Sequence, residues 1–266
     1  MSTSPRGPFT RLTDALHIPL RSEGRLLGEI LNLRDSSIWT TPPASGATQP
    51  VVLVGGMAST PATQLPMRRW LEAAGHPVSA APVRMGLGCG EQTTLSVLRT
   101  LQESAEQHGR PAAIIAHSRG GQYARVATVR RPDLVDRLVT LGSPLTQLLG
   151  VHRLLQAECV LIGLAGTAGI GGVFGAGCLW GRCCRRMRQE LIGPFPEVPF
   201  LSIYSRNDQV VRWSSCLDAA ARHAEVDSSH GGLLGSEPVY RLLREELDRR
   251  AVSAPATDRV LLRLAA

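Results

Sequence analysis

The sequence predicts an α/β fold: one mostly parallel sheet flanked by helices, with an inserted lid or cap segment. Three observations carry this. Short runs such as Val51–Val54 and Ala112–Ala116 are apolar throughout, which suits strands buried on both faces. Stretches of helical period lie between such runs, so strands and helices alternate as in βαβ units. Glycine and proline mark the joints. With 266 residues, 28.5 kDa and 43% hydrophobic side chains, the chain can bury the core of one domain of ordinary size.

Residues 1–49 read as an N-terminal tail and lead-in. Pro5, Pro8 and Pro19 interrupt the start, which lacks the continuous apolar run of a secretory signal, so a cytoplasmic location is expected. Arg25–Leu33 suits an early strand or a short helix, and Thr41–Gln49 a loop. The domain proper is expected over 50–250, and 251–266 as a C-terminal tail. Val51–Val54 is its first strand, stopping at Gly55-Gly56. A helix over about Thr63–Ala74 ends at Gly75, and His76–Ala81 is the second strand. An amphipathic helix over Thr93–Gln107 is closed by Gly109. Ala112–Ala116 is the third strand, and Gly121–Arg130 a helix before Pro132. Leu138–Leu141 is the fourth strand and runs into Gly142-Ser143-Pro144. Phe200–Tyr204 is the fifth, Ala224–Asp227 a sixth, and Pro238–Arg250 the final helix, opened by its proline.

Residues 145–199, between the fourth and fifth strands, differ in composition. Val160–Trp180 runs 21 residues without a charge, and Arg182, Arg185, Arg186 and Arg188 follow. Length alone admits a transmembrane helix with a basic flank. Seven of the 21 residues are glycine, however, and a span here would separate two strands of one sheet. A mobile apolar flap is the favoured reading.

Composition excludes several chemistries. All 29 basic residues are arginine and none is lysine, which rules out Schiff-base and pyridoxal-phosphate enzymes and P-loop nucleotide hydrolases. The net charge of +7 is spread among acidic residues without the arginine–aromatic interleaving that stacks bases, so nucleic-acid binding is not expected. Attraction to an anionic surface or substrate stays open, and the arginine cluster ending the flap is the place for it. Six cysteines (Cys89, Cys159, Cys178, Cys183, Cys184 and Cys216) form no CxxC pair, and Cys178-x4-Cys183-Cys184 is a poor zinc pattern. Structural thiols are expected, with a bridge from the 178–184 cluster to Cys216 as the sharper alternative.

Chemistry concentrates at Ile114–Gly121, which reads I-I-A-H-S-R-G-G. A buried strand delivers the chain to Ser118 and a helix leaves at once, with Ala116 two residues before and Gly120 two after. This is the small-x-Ser-x-small nucleophile elbow, in which larger neighbours would collide at a sharp turn. The serine oxygen then projects above the sheet at a helix N-terminus, where the dipole favours developing negative charge.

From this point the sequence resembles the α/β-hydrolase family, in particular its lipase and esterase branch, over about residues 50–250. The resemblance rests on V-V-L-V-G-G-M at 51–57, the elbow at 116–120 and L-V-T-L-G-S-P at 138–144. S-I-Y-S-R-N-D at 202–208 and S-S-H-G-G at 228–232 complete it. It implies a triad in the order serine, acid, histidine. Ser118 would be the nucleophile, Asp208 the acid four residues past the fifth strand, and His230 the base in a Ser/Gly loop before the last helix. Asp218 and Asp227 compete for the acid's place and His223 for the base's. The backbone N–H groups of Arg119 and Met57 would form the oxyanion hole. Where the family often has His-Gly this chain has Gly55-Gly56, which leaves a backbone donor intact because a backbone N–H needs no particular side chain. His117 is expected to be structural, His152 could reach the cleft from the flap, Arg119 would brace the elbow, and Ser143 would end a strand.

The activity so implied is hydrolysis of a carboxylic ester through an acyl-enzyme on Ser118, with no metal or organic cofactor. The charge-free flap implies a small apolar or acyl-ester substrate and leaves room for peripheral membrane contact. Two alternatives stand beside it: thioesterase or acyltransferase chemistry with the same triad, and a non-catalytic hydrolase fold used for binding or membrane association. Oligomeric state is not legible.

Overall fold

The structure is a computed structural model that describes residues 23–40, 48–182 and 184–249. The expected tails at 1–22 and 251–266, most of the loop at 41–49, and Cys183 lie outside these residues.

Six strands form one sheet: β1 (Val51–Val54), β2 (Val78–Ala80), β3 (Ala112–His117), β4 (Val135–Leu141), β5 (Phe200–Tyr204) and β6 (Arg222–Glu225). Their order is β2-β1-β3-β4-β5-β6, and every neighbouring pair is parallel. The chain steps outward from β1 to β2, then returns to the other side of β1 as β3. Loops leaving β1 and β3 therefore part in opposite directions, and a crevice opens at their carboxyl ends.

The apolar runs work as two interleaved sets. Val51, Leu53, Ala113, Ile115, Leu141 and Ile203 face one core, which is covered by α1 (Leu26–Asp35), α2 (Pro61–Ala73) and α7 (Glu237–Asp248). Val52, Val54, Ile114, Ala116 and Leu138 face the other, under α3 (Gly90–His108) and α4 (Gly120–Arg130). Alternation along each strand sends successive side chains to opposite faces, so both sets had to be apolar.

Several boundaries move for identifiable reasons. Arg25–Leu33 resolves as helix α1, and Leu33 and Ile38 of this lead-in segment are buried in the core. Helix α2 starts at Pro61, because Thr60 and Thr63 form a capping box ahead of it. Strand β4 starts three residues before Leu138, since Arg137 is buried within it and donates to the Glu246 and Arg249 carbonyls. Strand β6 lies two residues earlier than Ala224–Asp227, as an edge strand with exposed side chains carries no apolar run.

Residues 145–199 fold as helix α5 (Arg153–Thr167), a single helical turn at Ala176–Leu179, and helix α6 (Arg185–Ile192). The charge-free run breaks at Gly169, whose φ of 95° follows the end of a helix, and turns again at Gly172 with a φ of 85°. No helix among the described residues is long and apolar enough to cross a membrane, which overturns the transmembrane alternative. The segment is fastened to the body of the domain. The Phe174 N–H donates to the Leu87 carbonyl at 2.6 Å. Arg125, buried on α4, pairs with Asp218 at 2.5 Å and donates to the carbonyls of Glu190 and Gly193. Arg130 joins Glu91 to Glu190.

The cysteines are arranged otherwise than the alternative bridge requires. Cys184 Sγ lies 3.8 Å from Cys89 Sγ. Cys216 is buried elsewhere, in a cluster with Tyr204 and Val211. Neither Cys178 nor Cys184 is bonded to it.

Candidate active site

Strand β3 ends at His117, and α4 begins at Gly120. Ser118 turns the chain between them with a φ of 56°, in the left-handed region that a side chain enters only under constraint. Its N–H is held by the Leu141 carbonyl at 2.9 Å. The small neighbours are obligatory. A Cβ on Gly120 would lie 2.4 Å from the Val54 carbonyl oxygen, and one on Gly56 would lie 2.6 Å from Ser118 Cβ. The tight approach of β1's end to the turn is what demands glycine there.

His230 lies in the loop between β6 and α7, and its Nε2 is 3.0 Å from Ser118 Oγ. Its Nδ1 is 2.7 Å from Asp208 Oδ2. The other oxygen of Asp208 accepts the N–H groups of Val210 and Val211, both at 2.8 Å, so the carboxylate is fixed from two sides. With Nδ1–H donating to Asp208, Nε2 is left as an acceptor for the serine hydroxyl. Burial drives the His230 pKa down, but the charge and hydrogen bond of Asp208, with Glu23 behind them, outweigh it and leave it raised.

The competing residues are engaged elsewhere. Asp218 pairs with Arg125, and Asp227 is exposed beside Arg25 and Asn207. His223 contacts the Asp218 carbonyl at 2.9 Å. His152 caps α5 by accepting the Leu154 N–H and does not line the cavity at Ser118. Ser143 is buried at the end of β4. Arg119 braces the turn: its guanidinium donates to the Gly86 carbonyl at 2.8 Å and lies over the Phe174 ring. Beside it, the N–H groups of Arg119 and Met57 have no main-chain acceptor among the described residues.

No protein-family model matches the chain, and no curated protein does. Solved structures do. The metagenomic carboxyl esterase MGS0156 superposes with a TM-score of 0.58 at 15% identity, over 77% of this chain and 76% of its own. The mature lipase BlEst2 of Bacillus licheniformis gives 0.55 at 15% identity, over 75% and 93%. The 2-hydroxy-6-oxo-6-phenylhexa-2,4-dienoate hydrolase of Rhodococcus sp. strain RHA1 gives 0.51 at 16% identity, over 76% and 91%. The chain has the α/β-hydrolase fold.

Within this fold, Ser118 and His230 open into a cavity of about 420 Å³. Its walls are mainly apolar, with Met57 from the loop after β1 and Leu148, Leu155, Ile162, Phe174 and Leu179 from the 145–199 segment, and Arg119 and Glu158 add charged groups to the lining. Three residues support the His230 loop; two of them, Glu23 and Glu29, had no signal in the sequence, and the third is His117, expected there to be structural. Glu23 accepts the N–H groups of His230 and Gly231, and Glu29 on α1 accepts the N–H and hydroxyl of Ser229. His117 sits against the His230 ring and bonds the His230 carbonyl through Nε2 at 3.0 Å. Burial, and then repulsion by His230, push its pKa down to about 3, so it acts as a neutral donor.

Proposed function

We propose that the protein is a serine hydrolase that cleaves carboxylic esters of apolar acyl groups through an acyl-enzyme on Ser118. The observation that carries this is the Ser118–His230–Asp208 chain of 3.0 and 2.7 Å contacts at one wall of an apolar cavity. Ser118 Oγ attacks the acyl carbon as its proton passes to His230 Nε2. Asp208 holds the imidazole in its tautomer and stabilises the imidazolium. The oxyanion takes the N–H groups of Arg119 and Met57, with the α4 dipole behind them. His230 returns the proton to the leaving alcohol, and water repeats the sequence to release the acid. A thioester donor, or an alcohol in place of water, enters the same scheme, and product analysis with and without added alcohol separates these outcomes.

The likeness in fold to lipases and esterases supports the reading. The test is labelling by a fluorophosphonate probe. The wild type is labelled and Ser118→Ala is not, and a chain-length series of p-nitrophenyl esters then reports the acyl preference. Equal labelling of both proteins would sink the proposal.

Residues 145–199 act as the lid in this scheme. Leu161, Leu164, Ile170 and Trp180 on this segment are exposed, and they are the side chains through which it would rest on a lipid surface. Its basic flank is smaller than the sequence suggests, because Arg188 donates to the Cys178 and Gly181 carbonyls and Arg186 pairs with Glu190. Flotation with anionic vesicles tests this contact, and no loss of binding in Trp180→Ser would count against it.

A further inference from the structure

We propose that Cys89, Cys178 and Cys184 form a binding site for a thiophilic d10 cation, zinc above all, that fastens the 145–199 segment to the body of the domain. The three sulfurs lie within 4.8 Å of one another. They come from three separate places: the residue before α3, the helical turn at 176–179, and the residue before α6. Zinc–thiolate bonds of about 2.3 Å in a tetrahedron set the sulfurs about 3.8 Å apart. The Cys89–Cys184 separation is 3.8 Å. A soft, all-sulfur donor set selects zinc or copper(I) over magnesium or calcium.

Two helix N-termini and an arginine lie beside the cluster. Cys89 and Cys184 each precede the first turn of a helix, where unpaired N–H groups and the positive end of the dipole gather. Arg188 holds the Cys178 and Gly181 carbonyls and brings a positive charge to a cluster that carries one net negative charge once zinc is bound. Gly90 leaves room for the Met187 side chain beside the cluster, since a Cβ there would lie 2.7 Å from Met187 Sδ. Binding replaces three S–H bonds by three Zn–S bonds and releases three protons, with no change of oxidation state. The fourth position is left to water or a further sulfur. The consequence for the cavity is direct, because Leu179, next to Cys178, is part of its wall.

The spacing in the sequence concealed the site, since Cys89 stands 95 residues from Cys184. The test takes the full chain, stripped by a chelator under reducing conditions, and titrates it with Co²⁺ and then Zn²⁺. An intense ultraviolet sulfur-to-cobalt band is expected, bleached by zinc. Cys89→Ser and Cys184→Ser lose it, and Cys216→Ser keeps it. Peptide mapping of alkylation on the wild type needs no variant to fold: zinc slows modification of Cys89, Cys178 and Cys184. Absence of the band in the wild type, a band that survives both serine variants, alkylation indifferent to zinc, or a native disulfide at any of the three overturns the proposal. Fluorophosphonate labelling of Ser118 does not depend on the result, so the two readings fail separately.

Discussion

The Glu23 carboxylate accepts the backbone N–H of His230 at 2.9 Å, across 207 residues of chain. Glu29 grips the preceding residue, Ser229, by its N–H and its hydroxyl. Two acidic side chains of the N-terminal segment thus hold the loop that carries the proposed base. Removing Glu29 leaves both groups of Ser229 without their acceptor, at a cost of about 2 kcal/mol. Glu29→Ala is therefore expected to unfold at lower urea, and to lose about tenfold in kcat with KM nearly unchanged. A change confined to KM would mean that the clamp serves substrate binding.

The same clamp sets a pH dependence. In the proposed mechanism His230 works as a base when neutral, and its pKa is raised above the ordinary 6.5 despite burial. Activity should rise with pH through that raised value. Glu23 is one of the negative charges that raise it, so Glu23→Gln moves the half-maximal point of kcat/KM to lower pH. A shift to higher pH would contradict the stated cause.

Ser118 occupies the left-handed region at a φ of 56°. Such a conformation costs a non-glycine residue on the order of 1–3 kcal/mol. Ser118→Gly and Ser118→Ala are both expected to lose about a millionfold in turnover. They should differ in stability: the glycine variant should melt above the alanine variant by differential scanning fluorimetry. Equal melting temperatures would mean that the turn stores no strain.

Asp208 and Asp218 are both buried, yet their substitutions should have opposite phenotypes. Asp208→Asn keeps the shape and disrupts the tautomer, with an expected loss of about 10⁴ in kcat. Asp218→Asn leaves Arg125 without its partner and should cost about 3–5 kcal/mol of stability, while the folded fraction keeps its turnover. Active-site titration combined with urea unfolding separates the two.

His117 makes the fold sensitive to acid. Its folded-state pKa of about 3 lies below the unfolded value of 6.5, so its stabilising share is complete above pH 6.5 and is lost as pH falls toward 3. His230, with a raised pKa, acts with the opposite sign. Gln at position 117 can still donate to the His230 carbonyl and does not titrate. The stability of His117→Gln relative to wild type should therefore rise as pH falls through this window, by on the order of a few kcal/mol at its lower end. A difference independent of pH would show that His117 titrates normally.

Local physics made much of this legible in advance. Phe200–Tyr204 was bounded correctly because a central strand is apolar on both faces, and Ser118 stood out because a sharp turn admits only small flanking residues. Asp208 and His230 followed from a resemblance that ordered them, and the structure brings His230 to Ser118 and Asp208 to His230. What escaped was long-range. No period or propensity links Glu23 to His230, or Cys89 to Cys184. Arg137 hid three residues of β4, because its charge interrupts the apolar run although carbonyls in the fold satisfy it.

The order of contacts along the chain also has a consequence for synthesis. A ribosome releases α1 first, the Ser118 turn next, and the His230 loop more than a hundred residues later. During that interval the serine has no imidazole beside it, and Glu23 and Glu29 have no loop to hold. In the proposed mechanism a nascent chain thus carries a nucleophile that stays disarmed until nearly all of the domain has emerged, and the last loop to arrive arms it.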